Sequence, residues 1–266
     1  DLSVIIRADL AIPFTQAYLV AFKQTSQVEI AKLKAKFSQY GLGESTELPD
    51  YLTACAGIVF MKASQPFYSA YNLSEGLCKQ AKNYSRQYSR NGIIPSSLAF
   101  YKVNDSVLED IDAMYDQTQI AQHANSTYHL SAPAYFVDEK IANTADLEQL
   151  LSLEKFLKHS SLNDRALREI ATLIHANVNH AKQVYKRWNQ YSERQVSQLT
   201  AFERKQSSDL EHFKFQLQGL IGHLELDLPF HKLSDQHYQS VLGDLLTLFT
   251  ISEEVQQKKN KEVIAS

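Results

Sequence analysis

The residues here that could do chemistry are mostly acids and cations. Asp1 precedes the apolar run Leu2-Ser3-Val4-Ile5-Ile6. A carboxylate at the start of a strand is a candidate ligand for a hard divalent cation, which prefers oxygen donors. A solvated acid without a role is the competing reading. Lys82 lies near the end of a periodic segment, with Lys79 and Arg86 close by. A lysine ammonium is a mobile point charge suited to phosphate, and a solvated helix face accounts for the same residue. Lys79 and Arg86 read as surface charges.

Other clusters read as structural. Of nine histidines, His175 and His180 are five apart and do not share a helical face. His223, Glu225, Asp227 and His231 gather around Pro229 and read as a polar loop ahead of a metal site. No phosphate loop, nucleophile elbow or zinc spacing occurs. Cys55 and Cys78 sit in apolar segments and read as two buried, reduced thiols. Gly57, inside an apolar run, permits close approach of a helix or a nucleotide, the helix being the commoner reason. Asp9 and Asp105 read as turn or cap residues. Lys182, Lys186, Arg187, Trp188, Tyr191 and Arg194 share one helical stretch. Either this is an RNA or subunit contact, or, more commonly, a solvated face with Trp188 and Tyr191 turned inward.

The elements that must position these residues follow from hydrophobic patterning. Leu2–Ile6 predicts a strand. Ala8, Asp9 and Pro13 mark entry into a helix, with Pro13 in its first turn and Phe14, Tyr18 and Phe22 as its apolar stripe. Leu52–Met61 is apolar almost throughout and predicts a central strand. Ser64 and Pro66 read as the cap and first turn of a helix that turns Phe67, Ala70, Leu73, Leu77, Cys78 and Ala81 to one side. Asn91-Gly92 then leads to a last strand, Ser96–Val103. The first 103 residues thus read strand-helix-strand-helix-strand, an α+β arrangement. Residues 104–145 are polar and Asp-rich and read as a connector with a short helix over Leu108–Tyr115. Residues 146–266 read as an α-helical domain with stripes such as Leu147, Leu150, Leu151 and Leu157, or Leu167, Ile170, Ala171 and Ile174.

Composition sets the outer limits. With 44% hydrophobic and 21% charged residues the chain has the balance of a folded protein. A net charge of −3 supplies no overall basic field to draw it onto nucleic acid. No apolar run is long enough to cross a bilayer, so the expectation is a cytoplasmic protein away from membranes. The chain opens on Asp1 rather than Met, as a processed chain or a fragment would.

The segment Leu52–Arg86 carries a resemblance. A strand ending in Ala56-Gly57 and β-branched residues, then a helix closing in Ser74-Glu75-Gly76-Leu77-Cys78-Lys79-Gln80-Ala81-Lys82, is similar to the second half of a GGDEF-type palm, a partial ferredoxin-like fold. The family carries an alanine-lysine pair at the place of Ala81-Lys82. Asp1–Ile6 resembles the strand that leaves the family's Gly-Gly-Asp-Asp hairpin, whose glycines this sequence does not contain. Leu147–Leu151, Ser161, Leu167–Ile170 and Gly243–Leu246 resemble the helical region after the palm in the large subunit of type III CRISPR effector complexes.

That resemblance implies an antiviral-defence nucleotidyltransferase that joins ATP into cyclic oligoadenylate. It implies Mg²⁺ or Mn²⁺ as cofactor, Asp1 as catalytic metal ligand and Lys82 as nucleotide-binding residue. Implied partners are ATP, other effector subunits, and guide and target RNA bound through the complex. The absence of a His-Asp pair sets the chain apart from the nuclease domain of many members. Without the hairpin glycines, the chain alone is expected to make no product. Two alternatives stand beside this reading: a catalytically silent scaffold for subunits and guide RNA, and a GGDEF-like cyclase outside any CRISPR complex.

Overall fold

The computed structural model describes residues 2–41, 48–103, 117–142, 144–162, 164–193, 200–225 and 227–265, with backbone alone for 191–193, 202–204, 206 and 258–265. Asp1, Asp105, Arg194 and the short helix expected over Leu108–Tyr115 lie outside the described residues, as does the side chain of Tyr191. The chain is mixed α+β and divides into two units, Asp1–Leu108 with Pro133–Ile141, and Glu109–Ala132 with Ala142–Ser266.

The first unit begins with helix α1 (Ala8–Gln39). Residues 2–7 precede it without regular structure, and Leu2, Val4 and Ile5 are 57%, 49% and 83% exposed. The strand expected over Leu2–Ile6 is therefore absent. A strand persists only when a neighbour pairs with its backbone groups, and no described strand pairs with this one. Because α1 starts at Ala8, Pro13 lies inside the helix rather than in its first turn. Phe14, Tyr18 and Phe22 stack in sequence, with centroids 6.4 and 6.3 Å apart, but Phe14 and Tyr18 face outward. The buried stripe is Ala11, Ile12 and Leu19, with Ile12 about 200° around the helix from Phe14 at ~100° per residue.

Strand β1 (Cys55–Phe60) runs parallel to β2 (Ser97–Lys102), with helix α2 (Phe67–Arg86) as the crossover that a parallel pair requires. β1 is an edge rather than the expected central strand. The middle position belongs to β2, because the short β5 (Tyr135–Phe136) pairs antiparallel on its other side. β2 is accordingly buried from Ser97 to Tyr101. The start of α2 also differs from expectation: Pro66 is the cap residue, no side chain caps the helix, and Phe67 is 59% exposed. Its buried stripe is Leu73, Leu77, Ala81 and Ser85, a strict four-residue spacing.

The second unit combines helices with a small sheet. Strands β3 (Ile120–His123) and β4 (Ser126–His129) form a hairpin, as do β6 (His231–Ser234) and β7 (His237–Gln239); β4 and β7 pair in parallel, giving the order β3-β4-β7-β6. The stretch read as a connector thus supplies three strands, β3, β4 and β5, in its described part, and the helical stretch contains a hairpin. Helices α3 (Leu147–His159), α4 (Asp164–Ala176), α5 (Val178–Glu193), α6 (Ala201–Ile221) and α7 (Leu242–Ala265) bury Leu150, Ile170, Ala181, Phe213 and Leu245 to 0% exposure. Asp146 caps α3 by accepting the Gln149 N–H at 2.9 Å. Tyr128 and Tyr238 stack across β4 and β7 at 4.9 Å over Phe230.

Candidate functional site

Lys82 is placed by the seating of α2 on the sheet. The side of β1 and β2 that faces α2 carries small residues, Cys55 and Gly57 on one strand and their register partners Ser97 and Ala99 on the other. A Cβ built on Gly57 would lie 2.1 Å from the Ser74 carbonyl oxygen and 2.5 Å from the Cys78 nitrogen. Close helix packing therefore accounts for this glycine. The seam is locked by short polar bonds. Ser85 Oγ–H donates to Ser97 Oγ at 2.6 Å, Ser97 Oγ–H to the Ala81 carbonyl at 3.3 Å, and the Cys78 thiol to the Cys55 carbonyl at 3.2 Å.

With Ala81 fully buried in this seam, Lys82 is turned to solvent one residue further on. Lys79 and Arg86 are exposed on the same helical stripe, at the (i, i+3, i+7) spacing of one face. No carboxylate pairs with Lys82 among the described residues. These cations also lie in the C-terminal half of α2, where the helix dipole favours positive charge. Burial pushes the Cys78 thiol above its ordinary value, helped by Cys55 and Glu75 and opposed by the Lys82 charge. Both cysteines are free and half-buried.

Asp1, the implied catalytic metal ligand, lies outside the described residues. Among the described residues no group of three or more His, Cys, Asp or Glu side chains could hold a metal ion. Asp9 sits in the first turn of α1 and pairs with Arg7 at 2.6 and 2.8 Å, a local structural role. Around Pro229 the turn is not simply polar: His223 and Asp227 are exposed, but Leu228, Pro229 and Phe230 are buried, while the His231 ring donates to the His223 carbonyl at 2.9 Å and the Glu225 N–H to the Phe230 carbonyl at 2.7 Å.

Trp188 is buried against Phe213 at 5.5 Å and Tyr185 at 6.3 Å, so its ring is no platform for bases, while Lys186 and Arg187 remain exposed. Burial pushes the Tyr185 hydroxyl up to about 12, against a hydrogen bond from Asn189 and with help from Glu211. Among the described residues no helix is long and apolar enough to cross a membrane.

One grouping has no signature in the sequence. Tyr51, Tyr88, Arg90 and Lys140, from three separate segments, line one cavity in the first unit. No spacing rule joins positions so far apart; the pairing of β5 with β2 brings the last segment near the others. No family model matches the chain, and no curated sequence does.

Proposed function

We propose that the first unit is the C-terminal part of a palm-type nucleotidyltransferase that makes cyclic oligoadenylate from ATP within an RNA-guided CRISPR complex. Lys82 is the residue that meets the triphosphate. The observation that carries the reading is the setting of the Ala81-Lys82 pair: alanine locked into the sheet seam, lysine exposed beside it without a carboxylate partner. An ammonium held on a rigid helix over a parallel strand pair is poised to neutralise a phosphate without first breaking an ion pair. The half-buried seam also fixes where that charge sits, and positioning is most of what phosphoryl transfer asks of protein. Divalent metal, when bound, would supply charge neutralisation at the transferred phosphate, with Asp1 as a ligand.

The test is incubation of labelled ATP with the RNA-loaded complex containing this chain, beside Lys82→Ala, Lys82→Arg and Asp1→Ala variants. Cyclic oligoadenylate is expected from the wild type. Loss of one charged hydrogen bond, worth about 1.5–3 kcal/mol, lowers the Lys82→Ala rate roughly 10–150-fold, with partial rescue by arginine. Full activity in Lys82→Ala would remove Lys82 from the site. No product from an assembled wild-type complex would overturn the enzymatic reading.

A further inference from the structure

The first unit holds a cavity of about 320 Å³ for which the chemistry above has no use. Its walls come from Tyr51 ahead of β1, from Tyr88, Arg90, Ile93 and Pro95 between α2 and β2, and from Glu139–Ile141 after β5. All three segments meet where the parallel strands begin. Lys82 is not among the lining residues.

The walls are held from behind. Asn91 (φ 49°) and Gly92 (φ 77°) form a two-residue turn closed by reciprocal backbone bonds between Arg90 and Ile93 at 3.0 and 2.9 Å. Positive φ at both central positions is the reason an Asn-Gly pair occurs there. Tyr88 packs edge-on against Tyr84 and Phe136, each at 5.3 Å, and its hydroxyl bonds that of Tyr84 at 3.3 Å. Tyr51 lies under the Lys23 ammonium, 4.8 Å from the ring centroid.

The charges do not cancel. Lys23 bonds Glu139 at 2.9 Å and Asp138 at 3.4 Å. Burial alone would lower the Lys23 pKa, but these two carboxylates outweigh it and hold the group above its ordinary value. Lys23 thereby occupies Glu139, the one carboxylate among the described lining residues. Arg90 and Lys140 are exposed and have no ion-pair partner among the described residues.

Two unspent cations beside two braced rings suit one kind of ligand. We propose that this cavity binds a nucleoside phosphate, with Arg90 and Lys140 on the phosphate and the Tyr51–Tyr88 wall against the base. A guanidinium meets phosphate through two parallel N–H groups, and aromatic side chains stack bases with little regard to identity. The volume lies at the small end of the ~300–1,000 Å³ typical of ligand pockets, which suits a free mononucleotide. This inference stands apart from the reading of Lys82.

Calorimetric titration of the full chain with ATP, AMP, adenosine, pyrophosphate and a short single-stranded oligoribonucleotide tests it. AMP is expected to bind at one site, at least tenfold tighter than adenosine or pyrophosphate. The Arg90→Ala/Lys140→Ala double variant should weaken that binding tenfold or more, and Lys62→Ala, at an exposed lysine outside the lining, should leave it unchanged. Both substituted residues are exposed, and an unchanged circular dichroism spectrum certifies the fold. AMP binding that survives the double variant, that falls equally in Lys62→Ala, or that is absent at millimolar AMP overturns the proposal. Pyrophosphate binding as tightly as ATP removes the ring wall from the site. An oligoribonucleotide that binds far more tightly than AMP through Arg90 and Lys140 replaces the mononucleotide with an RNA strand.

Discussion

Substituting Gly57 with alanine tests the seating of α2, on which the position of Lys82 depends. The added Cβ would lie 2.1 Å from the Ser74 carbonyl oxygen, 2.5 Å from the Cys78 nitrogen and 2.8 Å from Leu77 Cβ. The first is about 1.3 Å short of ordinary van der Waals contact. Two of the three obstacles are helix backbone, which cannot swing aside as a side-chain terminus can. Helix and sheet must part by roughly an ångström, and the short bonds from Ser85 to Ser97 and from Ser97 to Ala81 lengthen with them. Overpacking a core typically costs ~1–3 kcal/mol. A backbone clash with loss of a buried hydroxyl bond, about 1 kcal/mol more, puts Gly57→Ala near or above the top of that range.

Urea denaturation followed by circular dichroism measures the loss, and hydrogen exchange of peptides spanning β1 and α2 localises it. The control is Gly219→Ala in α6, where nothing lies within 4 Å of the added Cβ. Relief of glycine's entropy cost makes that change neutral or stabilising by up to ~1 kcal/mol. A Gly57→Ala protein with the wild-type urea midpoint and unchanged protection of α2 would refute the packing argument.

Two further outcomes follow from the same geometry. In the second unit, Asp244 is 4% exposed in the first turn of α7 and accepts the Ala132 N–H at 3.0 Å. Asp244→Ala leaves that donor unsatisfied and should cost ~1–3 kcal/mol, while Asp244→Asn keeps an acceptor and loses less; Trp188 fluorescence in urea reports both, and equal losses would exclude the hydrogen bond as the cause. In a Cys55→Ser background, the pH dependence of Cys78 alkylation reports the thiolate. Lys82 pulls the thiol pKa down and Glu75 pushes it up. The midpoint should therefore rise in Lys82→Ala and fall in Glu75→Gln, and a midpoint unmoved by either would misplace both charges.

Local signals read correctly wherever a short stretch of chain decides the outcome. Gly57 was legible as a close-approach position because an isolated glycine in an apolar strand has few other uses. The stripe Leu73, Leu77 and Ala81 and the inward Trp188 were legible for the same local reasons. The hairpin of β6 and β7 was missed because its strands are only four and three residues long, too short for alternation to register. The strands of residues 117–142 were masked by polar composition, since His123, Thr127 and His129 carry no apolar signal.

The sequence by itself determined which residues share a face: 3.6-residue and two-residue periods are properties of the backbone, and no distant partner is needed to impose them. It also determined the mixed α+β character and the exposure of Lys82 beside a buried Ala81. The tertiary structure alone decided which face is covered. α1 offers two apolar stripes, and packing chose Ile12 and Leu19 over the aromatic one. Leu2–Ile6 has a strand's composition, yet no described strand pairs with it. β2 became the central strand because two residues, Tyr135 and Phe136, return from more than 30 positions away to pair with it. The same return brings Lys140 to Arg90. Burial and pairing are bargains between segments remote in the chain, and periodicity within one segment cannot state the terms.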